Sequence, residues 1–214
     1  ANGTIATFLL DSKKYDGSST PTIIPTSVSA RSNDWIETTI FDPSEVINIT
    51  VPDLRVLNTR TEVLTYNIQT ALDDAEDGDT IHAWNGTYFE NIEISDEVTL
   101  KGNGTSTIIN GTSGIAIEIS DNDIVVEDLL IISSEKGIFI NGAHDVSIST
   151  IRFTGNEYAV YVEDSQRALV DNNEFDLEDY GIYFTGSSLS ATVEYNKFRN
   201  ATESAIYQSE SDEN

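Results

Sequence analysis

The fold is decided by the stretch from Ile138 to Phe184, which reads IFINGAHDVSISTIRFTGNEYAVYVEDSQRALVDNNEFDLEDYGIYF. One strand recurs within this stretch and after it, at steps of 22, 22 and 24 residues. Its members are the residue pairs Ile138/Ile140, Val160/Val162, Ile182/Phe184 and Ile206/Gln208. A second position recurs as Ile124/Val126, Val146/Ile148, Ala168/Val170 and Ala191/Val193, and a third as Ile131, Phe153, Phe175 and Phe198. Three columns that share one period indicate a repeat architecture.

Each period holds three short strands separated by turns rich in Gly, Asn, Asp and Ser. Strands this close together leave no room for a helix between them. They are therefore predicted to coil, so that each strand pairs in parallel with its counterpart one turn further on. The sequence predicts an all-β fold, a right-handed parallel β-helix of about six coils with a 22-residue period. Ile, Val and Phe face inward in it, and polar residues alternate outward.

One short helix is predicted ahead of the coils, from Asn67 to Glu76. Its apolar residues fall at the i, i+3, i+4, i+7 spacing of an amphipathic helix, namely Ile68, Ala71, Leu72 and Ala75. Thr65 or Asn67 is suited to cap its start and Gly78 to end it. Because repeat proteins need capped ends, this helix is expected to cover the open N-terminal end of the hydrophobic coil.

The chain is predicted to divide into an N-terminal β-rich module over 1–64, the β-helix over 65–209 and an acidic tail over 210–214. The module does not fit the repeat, and its predicted strands are Thr4–Leu10, Thr22–Ala30, Trp35–Phe41 and Val46–Val51. It is a candidate for mediating assembly, because its first strand can pair with a neighbouring molecule. No capping helix follows the last coil. Three explanations stay open: the tail blunts the edge, the natural chain continues, or the next subunit stacks there.

The run that opens the repeat resembles a known family. It comprises Ile68, Gly78-Asp79-Thr80, Asn85-Gly86-Thr87-Tyr88, Glu90-Asn91-Ile92 and Val98-Thr99-Leu100-Lys101-Gly102. It is similar to the opening of parallel β-helix repeat proteins, the NosD-like group of the pectin-lyase-like superfamily, and the resemblance covers about residues 65–209. The resemblance implies the fold, which carries lyases, hydrolases, epimerases, adhesins and surface proteins. The NosD name also implies copper. This chain has only two His, His82 and His144, and no Cys or Met, whereas copper sites use soft sulfur or several imidazoles.

Composition restricts the partners and the compartment. The 37 acidic and 11 basic residues give a formal net charge of −26, which repels nucleic acid and anionic membrane. Three explanations of the acidity stay open: a surface suited to high salt, divalent-cation binding, and attraction to a cationic partner. No apolar run is long enough to span a bilayer, so no membrane insertion is predicted. We expect an extracellular or cell-surface protein whose signal peptide has been removed.

Six Asn-X-Ser/Thr sequons are candidate glycosylation sites, namely Asn2, Asn48, Asn85, Asn103, Asn110 and Asn200. The alternative is that Asn, Gly, Ser and Thr are abundant because turns are. The first interpretation requires that the chain is secreted by a cell that glycosylates its proteins.

Four aromatic residues stand between the inward-facing pairs of the first column, namely Phe139, Tyr161, Tyr183 and Tyr207. Alternation places them on the outside of one sheet. Adjacent coils lie roughly 4.8 Å apart, so the rings are predicted to stack as an exposed stripe. Three interpretations stay open: a structural ladder, a protein interface and a sugar-binding surface.

The polar columns are predicted to be structural. Asn173 and Asn196 recur with the third strand and are expected to stack and bond along the axis. An outer column runs through Leu130, Arg152, Glu174 and Lys197, whose last three members alternate in sign as favourable cross-strand pairs.

No catalytic residue is predicted. The clustered acids that would suit polysaccharide cleavage are Asp164, Asp171, Asp176 and Asp179, with Arg152 and Arg167 near them. They sit mostly in turns, and solvated turn acids are the preferred interpretation. Ca²⁺ is the one candidate cofactor, with Asp121 and Asp123 as its candidate ligands in a turn crowded with oxygen atoms.

Three functions follow from these features. The first is a non-catalytic extracellular structural or adhesive surface protein that self-associates end to end, as a filament or array subunit. The second is a carbohydrate-binding module that uses the aromatic stripe. The third is a polysaccharide lyase, hydrolase or epimerase of the pectin-lyase-like type. Predicted partners are therefore other copies of the chain and a glycan.

Overall fold

The computed structural model describes residues 28–32, 35–39, 55–111 and 114–209. The chain forms two compact units, Ala1–Asp53 and Leu54–Asn214. In the first unit, β1 (Val28–Ser32) pairs antiparallel with β2 (Trp35–Thr39). These strands overlap the predicted strands Thr22–Ala30 and Trp35–Phe41. The predicted strands Thr4–Leu10 and Val46–Val51 and the tail 210–214 lie outside the described residues.

The second unit begins with β3 (Val56–Asn58), β4 (Val63–Thr65) and the helix α1 (Ile68–Asp73). Eighteen strands follow, three to a coil over six coils. In chain order they are β5 (Thr80–Ala83), β6 (Gly86–Tyr88), β7 (Ile92–Ile94), β8 (Thr99–Lys101), β9 (Thr107–Asn110), β10 (Ile115–Ile119), β11 (Val125–Glu127), β12 (Leu130–Ile132), β13 (Lys136–Asn141), β14 (Ser147–Ser149), β15 (Arg152–Thr154), β16 (Tyr158–Glu163), β17 (Leu169–Asp171), β18 (Glu174–Asp176), β19 (Tyr180–Thr185), β20 (Thr192–Glu194), β21 (Lys197–Arg199) and β22 (Ser204–Gln208).

The coil strands form three sheets along the axis. Sheet S1 has the order β4-β3-β5-β8-β11-β14-β17-β20, sheet S2 the order β6-β9-β12-β15-β18-β21, and sheet S3 the order β7-β10-β13-β16-β19-β22. Every coil strand pairs in parallel with its counterpart in the next coil. The registers match the predicted columns, for example Phe153 beside Phe175 and Val160 beside Ile182. The predicted parallel β-helix and its coil number are confirmed.

Apolar ladders fill the interior of the coils. Phe153, Phe175 and Phe198 stack with ring centroids 5.0 and 4.7 Å apart. The facing column of sheet S3 carries only small residues, which are Ala116, Gly137, Ala159, Gly181 and Ala205. A Cβ atom on Gly137 would lie 2.6 Å from the carbonyl oxygen of Ala159 and 3.1 Å from the Phe153 ring. The small column thus makes room for the phenylalanine ladder, a complementarity that the strand pattern alone did not predict.

A ladder of asparagines runs along the turn between S1 and S2. The Ile151 N–H donates to Asn173 Oδ1 at 2.9 Å, and the Asn173 N–H donates to Asn196 Oδ1 at 2.8 Å. Each amide also donates back, Asn173 Nδ2 to the Ile148 carbonyl at 2.9 Å and Asn196 Nδ2 to the Val170 carbonyl at 2.6 Å. These contacts agree with the predicted structural role of Asn173 and Asn196. Both residues lie just before a strand of S2.

The helix α1 covers the first coil with Ile68, Ala71 and Leu72, all buried. Asn67 caps its start by accepting the N–H of Thr70. The helix ends at Asp73 rather than at the predicted Glu76, because the chain turns there to enter β5. None of the helices in the described residues is long and apolar enough to cross a membrane.

The β-helix unit starts at Leu54, before the predicted start at residue 65. The physical reason is hydrogen bonding: β3 pairs antiparallel with both β4 and β5, so these strands extend sheet S1 past the first coil. Below them, the buried Asp79 carboxylate accepts hydrogen bonds from Asn58 at 2.7 Å and from the Glu76 N–H at 3.1 Å, and forms an ion pair with Arg60. Polar contacts therefore tie this N-terminal extension to the first coil.

Candidate functional site

Four aromatic side chains from β13, β16, β19 and β22 lie one above another on the outer face of sheet S3. Phe139, Tyr161, Tyr183 and Tyr207 are neighbours in the strand register. Their ring centroids follow at 5.5, 5.0 and 4.9 Å, the first pair edge to face and the other two stacked. The structure therefore brings the four predicted stripe residues into one unbroken column.

Tyr158 and Tyr180 form a second column beside the first. Strict alternation did not predict it, because β16 and β19 each bury two successive residues, so that aromatic residues three positions apart both face outward. Tyr158 and Tyr180 stack at 5.1 Å and meet Tyr183 edge to face at 5.2 and 5.3 Å. We call the combined set the aromatic face, and it consists of Phe139, Tyr158, Tyr161, Tyr180, Tyr183 and Tyr207.

Exposure rises along the aromatic face. Phe139 is only 7% exposed, whereas Tyr207 is 42% exposed and the tyrosines between them are half-buried. Lys136 covers the buried end, with its Nζ 4.2 Å from the Phe139 ring centroid and 4.0 Å from that of Tyr161. The predicted exposed stripe is therefore buried at Phe139, where the cation–π contacts of Lys136 cover one end, and its tyrosines are the accessible part.

The hydroxyls of Tyr158, Tyr161 and Tyr180 stay protonated at neutral pH. Partial burial raises the pKa of Tyr158, Tyr161 and Tyr180, and nearby carboxylates raise it further. The carboxylates with the largest effect are Glu157 on Tyr158, Glu163 on Tyr161 and Glu203 on Tyr180. These three tyrosines therefore present neutral phenols beside carboxylates, which suits them to contact rather than to acid–base chemistry.

The predicted acid cluster does not converge on one point. Asp164 follows β16 and accepts the Ser187 N–H at 2.8 Å, whereas Asp171 ends β17 in S1. Asp176 ends β18 in S2 and pairs with Arg152 at 3.3 Å. Asp179 lies in the next turn and accepts the Thr202 hydroxyl at 2.5 Å. These acids lie at different points around the coil, each with its own surroundings.

Two side-chain oxygens of the candidate Ca²⁺ turn already accept hydrogen bonds from backbone N–H groups. Asp121 Oδ1 accepts the Asn122 N–H at 2.7 Å, and Asn122 Oδ1 accepts the His144 N–H at 2.7 Å. Within the described residues, no group of three or more His, Asp or Glu side chains is placed to hold a metal ion. Ca²⁺ binding through Asp121 and Asp123 stays a prediction.

Four of the six sequon asparagines fall in the described residues. Asn85, Asn103 and Asn200 are exposed, and Asn110 is half-buried. Asn103 Nδ2 donates to Asn85 Oδ1 at 3.1 Å, so these two acceptors are direct neighbours, and Asn200 Nδ2 donates to Asp176 at 2.9 Å. Asn2 and Asn48 lie outside the described residues, and glycosylation at all six positions stays a prediction.

Similar proteins come from two comparisons. A protein named cell surface glycoprotein from Methanothermus fervidus is 36% identical over 98 residues, which are 44% of this chain and 16% of that protein. The matched segment therefore spans a small part of that relative. Among solved structures, an alginate lyase from Paenibacillus sp. str. FPU-7 is similar with a TM-score of 0.36 and 12% identity, over 66% of this chain and 94% of the other. At that TM-score the likeness carries no argument about activity.

A family model described as periplasmic copper-binding protein (NosD) matches residues 37–214. The described residues do not fit a copper ion. His82 lies in the first coil, where its Nε2 contacts Asn103 Oδ1 at 3.0 Å, and His144 follows the third coil, where its Nδ1 accepts the Gln166 N–H at 3.1 Å. Two separate imidazoles, with neither Cys nor Met in the sequence, are not a copper site. The match covers most of the chain and the β-helix agrees with it: the chain belongs to the NosD family.

Proposed function

We propose that this chain is part of an extracellular, non-catalytic structural surface protein in which the β-helix is a rigid building block that self-associates end to end. The observation that carries the proposal is the continuous column of three parallel sheets around one hydrophobic core. In such a column each coil stacks on the preceding one in the same geometry, as in other repeat proteins. The relative named cell surface glycoprotein supports the location.

End-to-end association draws support from the edge strands. In the described sheets, β20, β21 and β22 pair with the preceding coil on one side only. The inward-facing residues of this coil are incompletely covered, since Val193 and Phe198 are half-buried and Ile206 is 47% exposed. Unpaired strand edges with apolar side chains are templates for pairing with another chain.

Electron microscopy of the purified protein, without refolding, tests this proposal. We expect filaments or sheets with an axial repeat near one subunit length. Ile206→Asp places a charge at the edge coil and should disperse them, whereas Leu177→Asp, at an exposed position one coil earlier, should leave them intact. Single particles in the unmodified protein, or equal effects of both variants, would overturn the proposal.

A second candidate function is glycan binding by the aromatic face. Its rings repeat every 4.9 to 5.5 Å, so a polymer lying along the axis would meet one ring in each coil. It stands second because the edge-to-face contacts already occupy much of the ring faces that a sugar would need.

A glycan array tests the second candidate. Binding should disappear in the double variant Tyr161→Ala/Tyr183→Ala and persist in Tyr66→Ala, which changes an exposed tyrosine outside the aromatic face. Binding that survives the double variant would exclude the aromatic face as the glycan site.

A further inference from the structure

Sheet S1 ends on both sides in a strand with no further partner strand among the described residues. The strand is β4 at the N-terminal end of the β-helix and β20 at the C-terminal end. β3 runs antiparallel to β5 and β4 runs antiparallel to β3, so β4 has the direction of β5. Every later strand of S1 is parallel to β5. The two edge strands of S1 therefore point the same way.

The pairing register places Val63 of β4 and Val193 of β20 in one row across S1. The row runs from Val63 through Asn58, Ile81, Leu100, Val126, Ile148 and Val170 to Val193. All members between the two ends are buried, whereas Val63 is 50% exposed and Val193 is half-buried. Each end of the row is therefore a valine that its own chain covers only in part.

A cavity of about 220 Å³ opens beside Val63 at the N-terminal end of the β-helix. Its lining includes Thr65 of β4 and also Ala71 and Asp74, from α1 and the residue that follows it. Thr65 lies on the same face of β4 as Val63, because side chains two residues apart in a strand point the same way. The cavity therefore lies on the inward side of the row, where it has room for an apolar side chain of another chain.

The charges at the two ends favour contact between unlike ends. At the N-terminal end, residues 60–79 hold six carboxylates and one cation, Arg60. In the last coil, residues 187–209 hold two carboxylates, Glu194 and Glu203, and two cations, Lys197 and Arg199. Two N-terminal ends would repel each other, whereas an N-terminal end meets a coil of balanced charge when copies stack head to tail.

We infer that the C-terminal coil docks on the β4 edge of a second copy, which β20 joins as a parallel strand with Val193 beside Val63. This inference rests on the proposed end-to-end association and names the strands that make the contact. S1 then continues from one copy into the next without a change of strand direction, and the added strand satisfies both free edges. The contact joins two different surfaces, so each addition leaves a free β4 edge or a free β20 edge for the next copy.

Engineered disulfides test this pairing on the full chain, which has no Cys of its own. Val63→Cys and Val193→Cys are made as separate variants, mixed and oxidised with glutathione disulfide. Neighbours in paired strands lie within the Cα separation that a disulfide spans, about 4.4–6.8 Å. We therefore expect a covalent dimer in the mixture that a reductant releases. The double variant Val63→Cys/Val193→Cys should give a ladder of longer covalent oligomers.

Leu64→Cys is the matched control, because Leu64 follows Val63 in β4 and points to the opposite face of the sheet. It should cross-link to Val193→Cys at least about tenfold less, since its Cβ points away from that position. Thermal melts confirm that each variant is folded. Equal cross-linking with Leu64→Cys, or a stronger link of either valine variant to itself, would overturn the pairing of β4 with β20.

Electron microscopy of the unmodified protein separates this inference from the proposed function. Filaments without a disulfide between Val63→Cys and Val193→Cys would overturn the β4–β20 contact and leave end-to-end association standing. Single particles without the disulfide would overturn both. Filaments together with the disulfide would support both.

Discussion

At the scale of single residues, Glu178 stands out as a buried carboxyl group in a ladder of neutral polar side chains. The Ser134 N–H donates to Asn156 Oδ1 at 3.0 Å, and the Asn156 N–H donates to Glu178 Oε2 at 2.8 Å. The other oxygen, Oε1, is buried without a hydrogen-bond partner among the described residues. Burial raises the pKa of Glu178 to about 7, and the neighbouring Asp176 adds to the effect.

In both ladders an asparagine side chain donates to a backbone carbonyl of the preceding coil. Asn156 Nδ2 donates to the carbonyl 25 residues earlier, that of Ile131, at 3.4 Å, and Asn173 Nδ2 does so to Ile148 at 2.9 Å. The corresponding carbonyl for Glu178 belongs to Phe153. A protonated Glu178 carboxyl has an O–H to donate, whereas an ionised one has none.

Stability should therefore fall as the pH rises through about 7. The folded-state pKa of Glu178 lies above its ordinary value of 4.5, so the folded state favours the neutral form and loses stability as that form ionises. The loss between pH 5 and pH 8 is at most about 3 kcal/mol, since one pKa unit is about 1.36 kcal/mol. Glu178→Gln should remove this dependence. Denaturant titrations at pH 5 and pH 8 measure the free energy of unfolding. The same pH dependence in Glu178→Gln would show that Glu178 is not its source.

Acid should destabilise the fold through a different residue. Hydrogen bonds from Arg60 hold the pKa of the buried Asp79 well below its usual range, and Asn58 acts in the same direction. The stability this supplies is present above the ordinary pKa of 3.8 and is lost as the pH falls below it. Asp79→Asn leaves Arg60 partly unpaired and should cost about 3 kcal/mol near neutral pH. Thermal melts of both proteins at pH 3 and pH 6 should differ by less at the lower value, and a constant difference would contradict this role.

The asparagine ladder gives a second test near neutral pH. Asn173→Ala leaves the buried N–H of Ile151 and the Ile148 carbonyl without their partner, and each unsatisfied group costs about 1–3 kcal/mol. Asn141→Ala is the control, because Asn141 is exposed and donates only to Glu118 at 3.2 Å. Chemical denaturation should separate the two variants by at least about 2 kcal/mol. Similar free energies of unfolding for the two variants would mean that the asparagine ladder contributes little to stability.

At the scale of elements, the ladders of the core depend on complementary columns rather than on single strands. Phe175 is 1% exposed and stacks on both sides, between Phe153 and Phe198. Strand patterning predicted these phenylalanines as inward-facing. It did not predict the facing column of Ala and Gly, because that column follows a break in alternation at Gly137 and Gly181.

Phe175→Ala should lower the free energy of unfolding by about 3–5 kcal/mol, the usual cost of a large cavity. Leu177→Ala, two residues later and 59% exposed, should change it by less than about 0.5 kcal/mol. Denaturant unfolding measures both. Equal costs would show that the phenylalanine ladder is not the core of its coil.

At the scale of the whole molecule, the described strands of each compact unit pair within that unit. β1 pairs with β2, whereas β3 pairs with β4 and β5 of the β-helix. Residues 54–214 should therefore fold without residues 1–53, with the same strand-type circular dichroism and the same melting midpoint as the full chain. A start at residue 65 removes β3 and all of β4 except Thr65, and this shorter chain serves as the comparison, which should melt lower. Failure of 54–214 to fold would place essential contacts in the first unit.

The sequence by itself determined the parallel β-helix, its period, its register and the place of its capping helix. These follow from apolar spacing that repeats in every coil, so a local pattern read several times is sufficient. Only the tertiary structure decided where that pattern breaks and what the breaks bring together. Tyr158 joins Tyr161 on one face because the two successive residues between them turn inward. The burial of Glu178 likewise depends on neighbours about 22 residues away along the chain, which strand periodicity places in register but does not identify by chemistry.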